Sequence, residues 1–194
     1  MTSIITQKEL KRENSFLVKL AETSPVAVVE VDERGGIVFA NSRAEELLEL
    51  DEDELTSRTY DDAVWKITDF EGNDFPREKL PFWQVKEEEE PVYEVEHAIE
   101  FPESDRKLLS INASPLFNAE GEFAGMISVI EEVTEQVEKD KKLKESEKRY
   151  RKLVNNMSNG VAVFDPVNGG EDFIVKEFNK SAEDIDDLDR SEIV

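Results

Sequence analysis

The sequence predicts an α+β fold: a five-stranded antiparallel sheet with helices on one face, flanked by an N-terminal and a C-terminal helix. Three observations predict it. A β-branched hairpin pattern occupies 26–40, and three further strand-like segments follow one another over 92–132. Between them apolar residues fall at helical spacing, at Ala44, Leu47 and Leu48 and again within 77–88. The opening pattern then returns. Val31-Asp32, Gly35-Gly36, Phe39-Ala40-Asn41 and Ala44-Glu45-Glu46-Leu47 reappear as Phe164-Asp165, Gly169-Gly170, Glu177-Phe178-Asn179 and Ala182-Glu183-Asp184-Ile185. A repeat at so long a spacing means tandem domains, because solenoid units recur every few tens of residues.

Taken in order, Thr6 and Glu9 fit a capping box, and Leu10, Leu17, Leu20 and Ala21 share one face of a helix that Ser24-Pro25 stops. Strands follow over 26–31 and 37–40, joined by the turn Glu33-Arg34-Gly35-Gly36. Asn41 or Ser42 caps a short helix carrying Ala44, Leu47 and Leu48, and 51–55 begins another helical turn. From 56 to 76 aromatic residues are scattered among turn formers, which predicts irregular structure with short helices. The segment 77–88 reads as a helix in which Pro81 either occupies the first turn or splits it. In 92–101 Tyr93, Val95, His97, Ile99 and Phe101 alternate with Glu94, Glu96 and Glu100, so the first set is expected on the inner face. Strands over 106–117 and 123–132 complete a meander through the turn Asn118-Ala119-Glu120-Gly121. Residues 135–154 are dense in Lys, Glu and Arg without Gly or Pro, a charged connecting helix. Val133, Val137, Leu143, Tyr150 and Val154 follow heptad spacing loosely, which leaves a dimeric coiled coil and a solvated single helix both open.

The expected division is an N-terminal amphipathic helix over 1–24, a first domain over 25–135, the connecting helix over 136–155 and the start of a second domain over 156–194. The second unit reaches Val194 before the long helix and three later strands of the first, so the chain is expected to be part of a longer multi-domain protein.

Composition removes several classes of function. With 47 acidic against 24 basic residues the formal charge is −23, which repels nucleic-acid backbones and anionic lipid, so neither nucleic acid nor direct membrane contact is expected. The chain has no cysteine, which excludes disulfides, thiolate metal sites, cysteine nucleophiles and thiol-linked cofactors. No apolar run approaches the ~20 residues of a membrane span, and a cytoplasmic location is expected. The sole histidine, His97, stands in no nucleophile motif, and the glycine pairs fall inside strand hairpins rather than before a helix, so no enzymatic activity is expected. The acids at Asp51, Asp53 and 69–74 lack the calcium-loop series and read as solvated, so no metal is expected either.

The order of helix, hairpin, short helices, longer helix, three antiparallel strands and charged helix resembles a PAS domain. The residues that carry the resemblance are Asp32 to Asn41, the stretch Val92-Tyr93-Glu94-Val95-Glu96-His97-Ala98-Ile99-Glu100, Asn112-Ala113-Ser114-Pro115-Leu116, and Glu132-Val133-Thr134-Glu135. It covers 16–136 in full and 149–194 as a second PAS start. Around His97 the sequence is most similar to archaeal multi-PAS sensor histidine kinases and bacterio-opsin-activator-type regulators. The resemblance implies a sensory and dimerisation module of a signal-transduction protein, with a small-molecule ligand held between sheet and helices. It also implies a relay at Glu132 and Thr134, where Glu132 stands in place of the family's usual Asp. His97, Trp65, Trp83 and Tyr93 are the candidate cavity residues. His97 can contact a ligand or a haem iron, or be a hydrogen-bonded core histidine, and Trp65 and Trp83 can stack on a flavin or simply fill the core. No cofactor is the primary expectation, with a haem or flavin redox sensor and a ligand-free dimerisation spacer as alternatives. A homodimer through the N-terminal and connecting helices is expected.

Overall fold

In a computed structural model of the chain, residues 7–101 and 105–186 are described, with side-chain surroundings for 15–101 and 105–183. The chain divides into two compact units, Met1–Glu135 and Gln136–Val194. In the first, helix α1 (Gln7–Glu22) leads into strands β1 (Ala27–Asp32) and β2 (Ile37–Ala40). Thr6 and the side chains of Glu9 and Leu10 lie outside the described residues. Helices α2 (Ser42–Leu48) and α3 (Glu52–Thr56) follow. Asn41 caps α2, and Asp51 with Glu54 forms a complete capping box on α3, so each helix begins where a short acceptor side chain meets free backbone N–H groups.

The sheet has six strands, not five. Its order is β2-β1-β6-β5-β4-β3, antiparallel throughout, with β3 (Lys66–Thr68), β4 (Val92–Glu100), β5 (Lys107–Phe117) and β6 (Phe123–Glu132). The extra strand β3 falls where the sequence predicts irregular structure. Three residues are too few to show alternation, and what makes them a strand is tertiary: Ile67 pairs with Ile99 and Thr68 with Ala98 on β4. The Arg106 guanidinium pins the end of this edge by donating to Thr68 Oγ1 at 3.2 Å, to the Phe70 carbonyl at 3.1 Å and to the Asp69 carbonyl.

Pro81 splits the segment 77–88. A 3₁₀ turn (Arg77–Lys79) ends at Leu80, which is extended as a residue before proline must be, and helix α4 (Pro81–Glu88) starts with Pro81 where no N–H is needed. Phe82 and Val85 on α4, Leu55 on α3 and Val31, Leu109 and Ile111 on the sheet join in one buried core. Chain crossing is tightest at Gly125 on β6, whose φ is +141° and where a Cβ would stand 2.1 Å from the Val31 carbonyl oxygen. Only glycine fits there.

The alternation in β4 holds for His97 and Ile99, which are buried, but fails at Tyr93, which is 71% exposed. The register slips between Val92 and Val95 against β5, and Glu94 adopts φ +53° while its N–H donates to Asn112 Oδ1 at 2.8 Å. This bulge turns Val92 into the core in place of Tyr93.

Helix α5 (Thr134–Asn155) begins in the first unit and continues into the second, where a two-stranded sheet of β7 (Ala162–Val167) and β8 (Asp172–Phe178) and helix α6 (Lys180–Asp186) follow. Among the described residues no helix is long and apolar enough to cross a membrane.

Candidate functional site

The concave face of the first unit's sheet, closed by α2 to α4, encloses a cavity of about 60 Å³. Its wall is made by Val29 and Val31 of β1, Ile99 of β4, Leu109 and Ile111 of β5 and Ile130 of β6, with Trp65 and Tyr60 from the segment before β4. Strand alternation explains this. Alternate residues of all six strands point inward, and apart from His97, Met126 and Ser128 those on the wall are β-branched or leucine.

Polar atoms on the wall are few. Ser128, 3% exposed, donates to the Val29 carbonyl at 3.1 Å and so is satisfied by the neighbouring strand. His97, 5% exposed, is different: its Nδ1 is buried and closes no well-formed hydrogen bond, although the Ala98 backbone is near enough to act on the ring, and the Phe75 ring packs 5.5 Å from the imidazole. Desolvation dominates and pushes the His97 pKa down to about 4, so the imidazole is neutral near pH 7. The Tyr60 ring stacks on Phe82 at 4.8 Å, and its buried hydroxyl closes no well-formed hydrogen bond, although Asp61 and Arg77 are near enough to act on its charge. Burial first, then the Asp61 carboxylate, pushes its pKa up to about 12.

Of the four cavity residues expected from sequence, His97 and Trp65 line the cavity, and the Trp65 indole donates to the Tyr60 carbonyl at 3.2 Å. Trp83 does not. It sits on the far side of α4, edge-on to Phe82 and under the Arg77 guanidinium, 4.7 Å from its ring centre, because α4 turns Phe82 rather than Trp83 inward. Tyr93 is outside for the reason already given. Tyr60, Met126 and Ser128 line the cavity without having been singled out in sequence. Tyr60 lies in the stretch that carries no periodicity, and Ser128 is one polar residue among inward apolar ones, which alternation alone can find.

The cavity wall is continuous with the start of α5. His97 pairs with Leu109, and Leu109 with Glu132, in one row across β4, β5 and β6. Two strand spacings of ~4.8 Å put the ends of that row about 10 Å apart. At its end the Thr134 hydroxyl accepts from the Leu108 N–H at 2.9 Å and donates to Glu132 Oε1 at 3.0 Å, while the Val133 N–H donates to the Leu108 carbonyl at 2.8 Å. The backbone of one β5 residue thus holds the first turn of the outgoing helix, and the side chain of the next, Leu109, faces the cavity.

Residues 15–133 match the PAS fold family, and 148–185 match a PAS domain family. The chain belongs to the PAS family. Among solved structures this PAS chain is similar to the PAS domain of a protein from Colwellia psychrerythraea, at 13% identity over 65% of this chain and 98% of that one, with a TM-score of 0.51. It is similar to an RNA-binding light-oxygen-voltage receptor at 19% identity over 76% of this chain and 40% of that one, with a TM-score of 0.52. A PAS domain from a two-component sensor histidine kinase matches at 14% identity over 63% of this chain and 98% of that one, with a TM-score of 0.48. At such identities the likeness is one of fold. Comparison with curated protein sequences gave no match.

Haem and flavin, which PAS folds invite as candidates, do not fit this interior. Ligands of drug size occupy pockets of ~300–1,000 Å³, against about 60 Å³ here. The wall also lacks the ring of polar partners that a flavin's heteroatoms require, and Phe75 packs against the one imidazole. Among the described residues no group of three or more side chains is arranged to hold a metal ion.

Proposed function

We propose that the first PAS unit is a non-catalytic sensor in a cytoplasmic signal-transduction protein, and that occupancy of its cavity is relayed through Glu132, Val133 and Thr134 to α5. The observation that carries this is the row His97, Leu109, Glu132, which ends at the hydrogen bonds holding the first turn of α5. A ligand that shifts Leu109 changes the strand that Thr134 grips, and two packings of that joint are the two states a signal needs. The two PAS matches support a protein with more than one PAS segment, and the sequence similarity around His97 leads us to propose an archaeal multi-PAS sensor histidine kinase or a bacterio-opsin-activator-type regulator as the parent.

The same reading makes the chain a homodimer. Leu17 and Leu20 of α1 are 55% and 58% exposed, and Leu143, Tyr150 and Leu153 of α5 are exposed as well, leaving an apolar stripe on each helix. Substituting Leu17 and Leu20 by Asp is expected to shift light-scattering mass toward the monomer. A wild-type protein that is monomeric at tens of micromolar, within the range of weak interfaces, overturns the dimer.

The relay is tested by filling the cavity from within. Ile111→Phe places a ring where a ligand would sit, and hydrogen exchange at the amides of Leu108 and Val133 is then expected to change. Unaltered exchange at both, in a variant that remains folded, removes the relay.

A further inference from the structure

Size, wall chemistry and one orphaned atom together specify what the cavity takes. We propose that its ligand is a small uncharged molecule, no larger than a single ring and largely apolar, with one polar group that hydrogen-bonds to Nδ1 of His97. This rests on reading the first unit as a ligand sensor.

The volume of about 60 Å³ corresponds to roughly four to six water-sized groups at ~10–15 Å³ each, or ~120–180 Å³ of liquid. A single ring with one substituent fills that space, whereas a fused-ring cofactor does not. The wall of valine, isoleucine and leucine supplies hydrophobic drive for an apolar body. No residue on the wall carries a formal charge at neutral pH: of the titratable members, Tyr60 is neutral there as any tyrosine is, and burial holds His97 neutral. A carboxylate or ammonium would enter without a counter-ion and lose its hydration uncompensated. That argues against organic acids and for neutral compounds.

The orphaned Nδ1 gives the pose. A buried polar atom without a partner costs about 1–3 kcal/mol, which a hydrogen bond from the ligand recovers. A hydroxyl suits the site, because it can donate to the imidazole or accept from it.

His97 is the sole histidine, so its imidazole gives a single set of ring resonances in a protein prepared without a histidine tag. The full chain is titrated with phenol, toluene and benzoate while those resonances are followed. Phenol is expected to bind saturably and to move the Nδ1 signal, toluene to bind with little movement there, and benzoate to leave the spectrum unchanged. In His97→Phe, phenol affinity is expected to fall about tenfold, the value of one hydrogen bond, with toluene unaffected. Benzoate binding as tightly as phenol, equal phenol affinity in both proteins, or no response to any of the three overturns the ligand class. If His97→Phe does not fold, the wild-type contrast decides, since equal Nδ1 movement with phenol and toluene is also an overturning result. The relay reading fails separately: phenol binds as stated, upholding the ligand class, yet exchange at Val133 and Thr134 does not move.

Discussion

Burying His97 without a partner for Nδ1 makes the first unit's stability depend on pH in a definite direction. An unfolded histidine titrates near 6.5, while in the fold desolvation pushes His97 down to about 4. Above pH 6.5 both states are neutral and the folded state carries no penalty. Between the two values the unfolded chain binds a proton that the folded chain refuses, so stability falls as pH drops through that window, by about 3 kcal/mol in all. The many carboxylates add their own pH dependence, but a comparison with His97→Phe cancels it. By urea unfolding, the wild-type protein is expected to lose about 2 kcal/mol relative to that variant between pH 7.5 and 5. Parallel profiles would mean that the imidazole is solvated. Two strand neighbours test the register at the same scale. Ile99 is 2% exposed and Glu96 is exposed, so Ile99→Ala is expected to cost about 2–4 kcal/mol and Glu96→Ala well under 1. Equal costs would place the wrong face inward.

Each unit ties its incoming helix to its hairpin with one asparagine. The Asn41 carboxamide oxygen accepts from Val28 and Ala44 N–H at 2.9 and 3.0 Å, and its nitrogen donates to the Ala21 and Val26 carbonyls at 2.8 and 3.0 Å. Asn179 repeats the pattern with Val161, Ala182, Val154 and Asn159 at 2.8, 3.0, 2.8 and 2.9 Å. One side chain thereby joins the last turn of α1, the first strand and the cap of α2, and all four of its capacities are used. Asn41→Ala orphans four backbone groups and is expected to cost about 3 kcal/mol or more in chemical denaturation, with Asn41→Asp, which keeps only the acceptors, also destabilising. A cost under about 1 kcal/mol would show that the clamp is dispensable. Both asparagines stand at matching places in the sequence repeat, so the clamp was legible as a repeated position but not as a junction, since its partners are backbone atoms. The hairpin and the meander of the first unit could be read because alternation survives wherever a sheet has one buried face. What could not be read is tertiary in origin: β3 exists through pairing with β4, the bulge at Glu94 reverses Tyr93 without altering the hydrophobic pattern, and Tyr60 reaches the cavity wall from an aperiodic stretch.

On the scale of the whole molecule, the two PAS units bury their opening hairpins to very different extents. β1 presents Ala27, Val29 and Val31 to the core, whereas β7 has Val163 and Phe164 exposed and β8 has Phe173 and Ile174 exposed. The difference follows from what covers them, because β1 pairs with β6 on one side and β2 on the other, while β7 and β8 pair only with each other among the described residues. Two strands without a packed face are marginal in water, and an open edge beside exposed aromatic residues favours association. Amides of β7 are therefore expected to exchange orders of magnitude faster than those of β1 in native-state hydrogen exchange at low micromolar concentration, since local opening of the hairpin exposes little new apolar surface. Raising the concentration should slow exchange in β7 and β8 selectively if a second copy covers the hairpin, leaving β1 unchanged. Protection of β7 equal to β1 at every dilution would mean that the hairpin is stable without cover, and would remove the distinction between the two units.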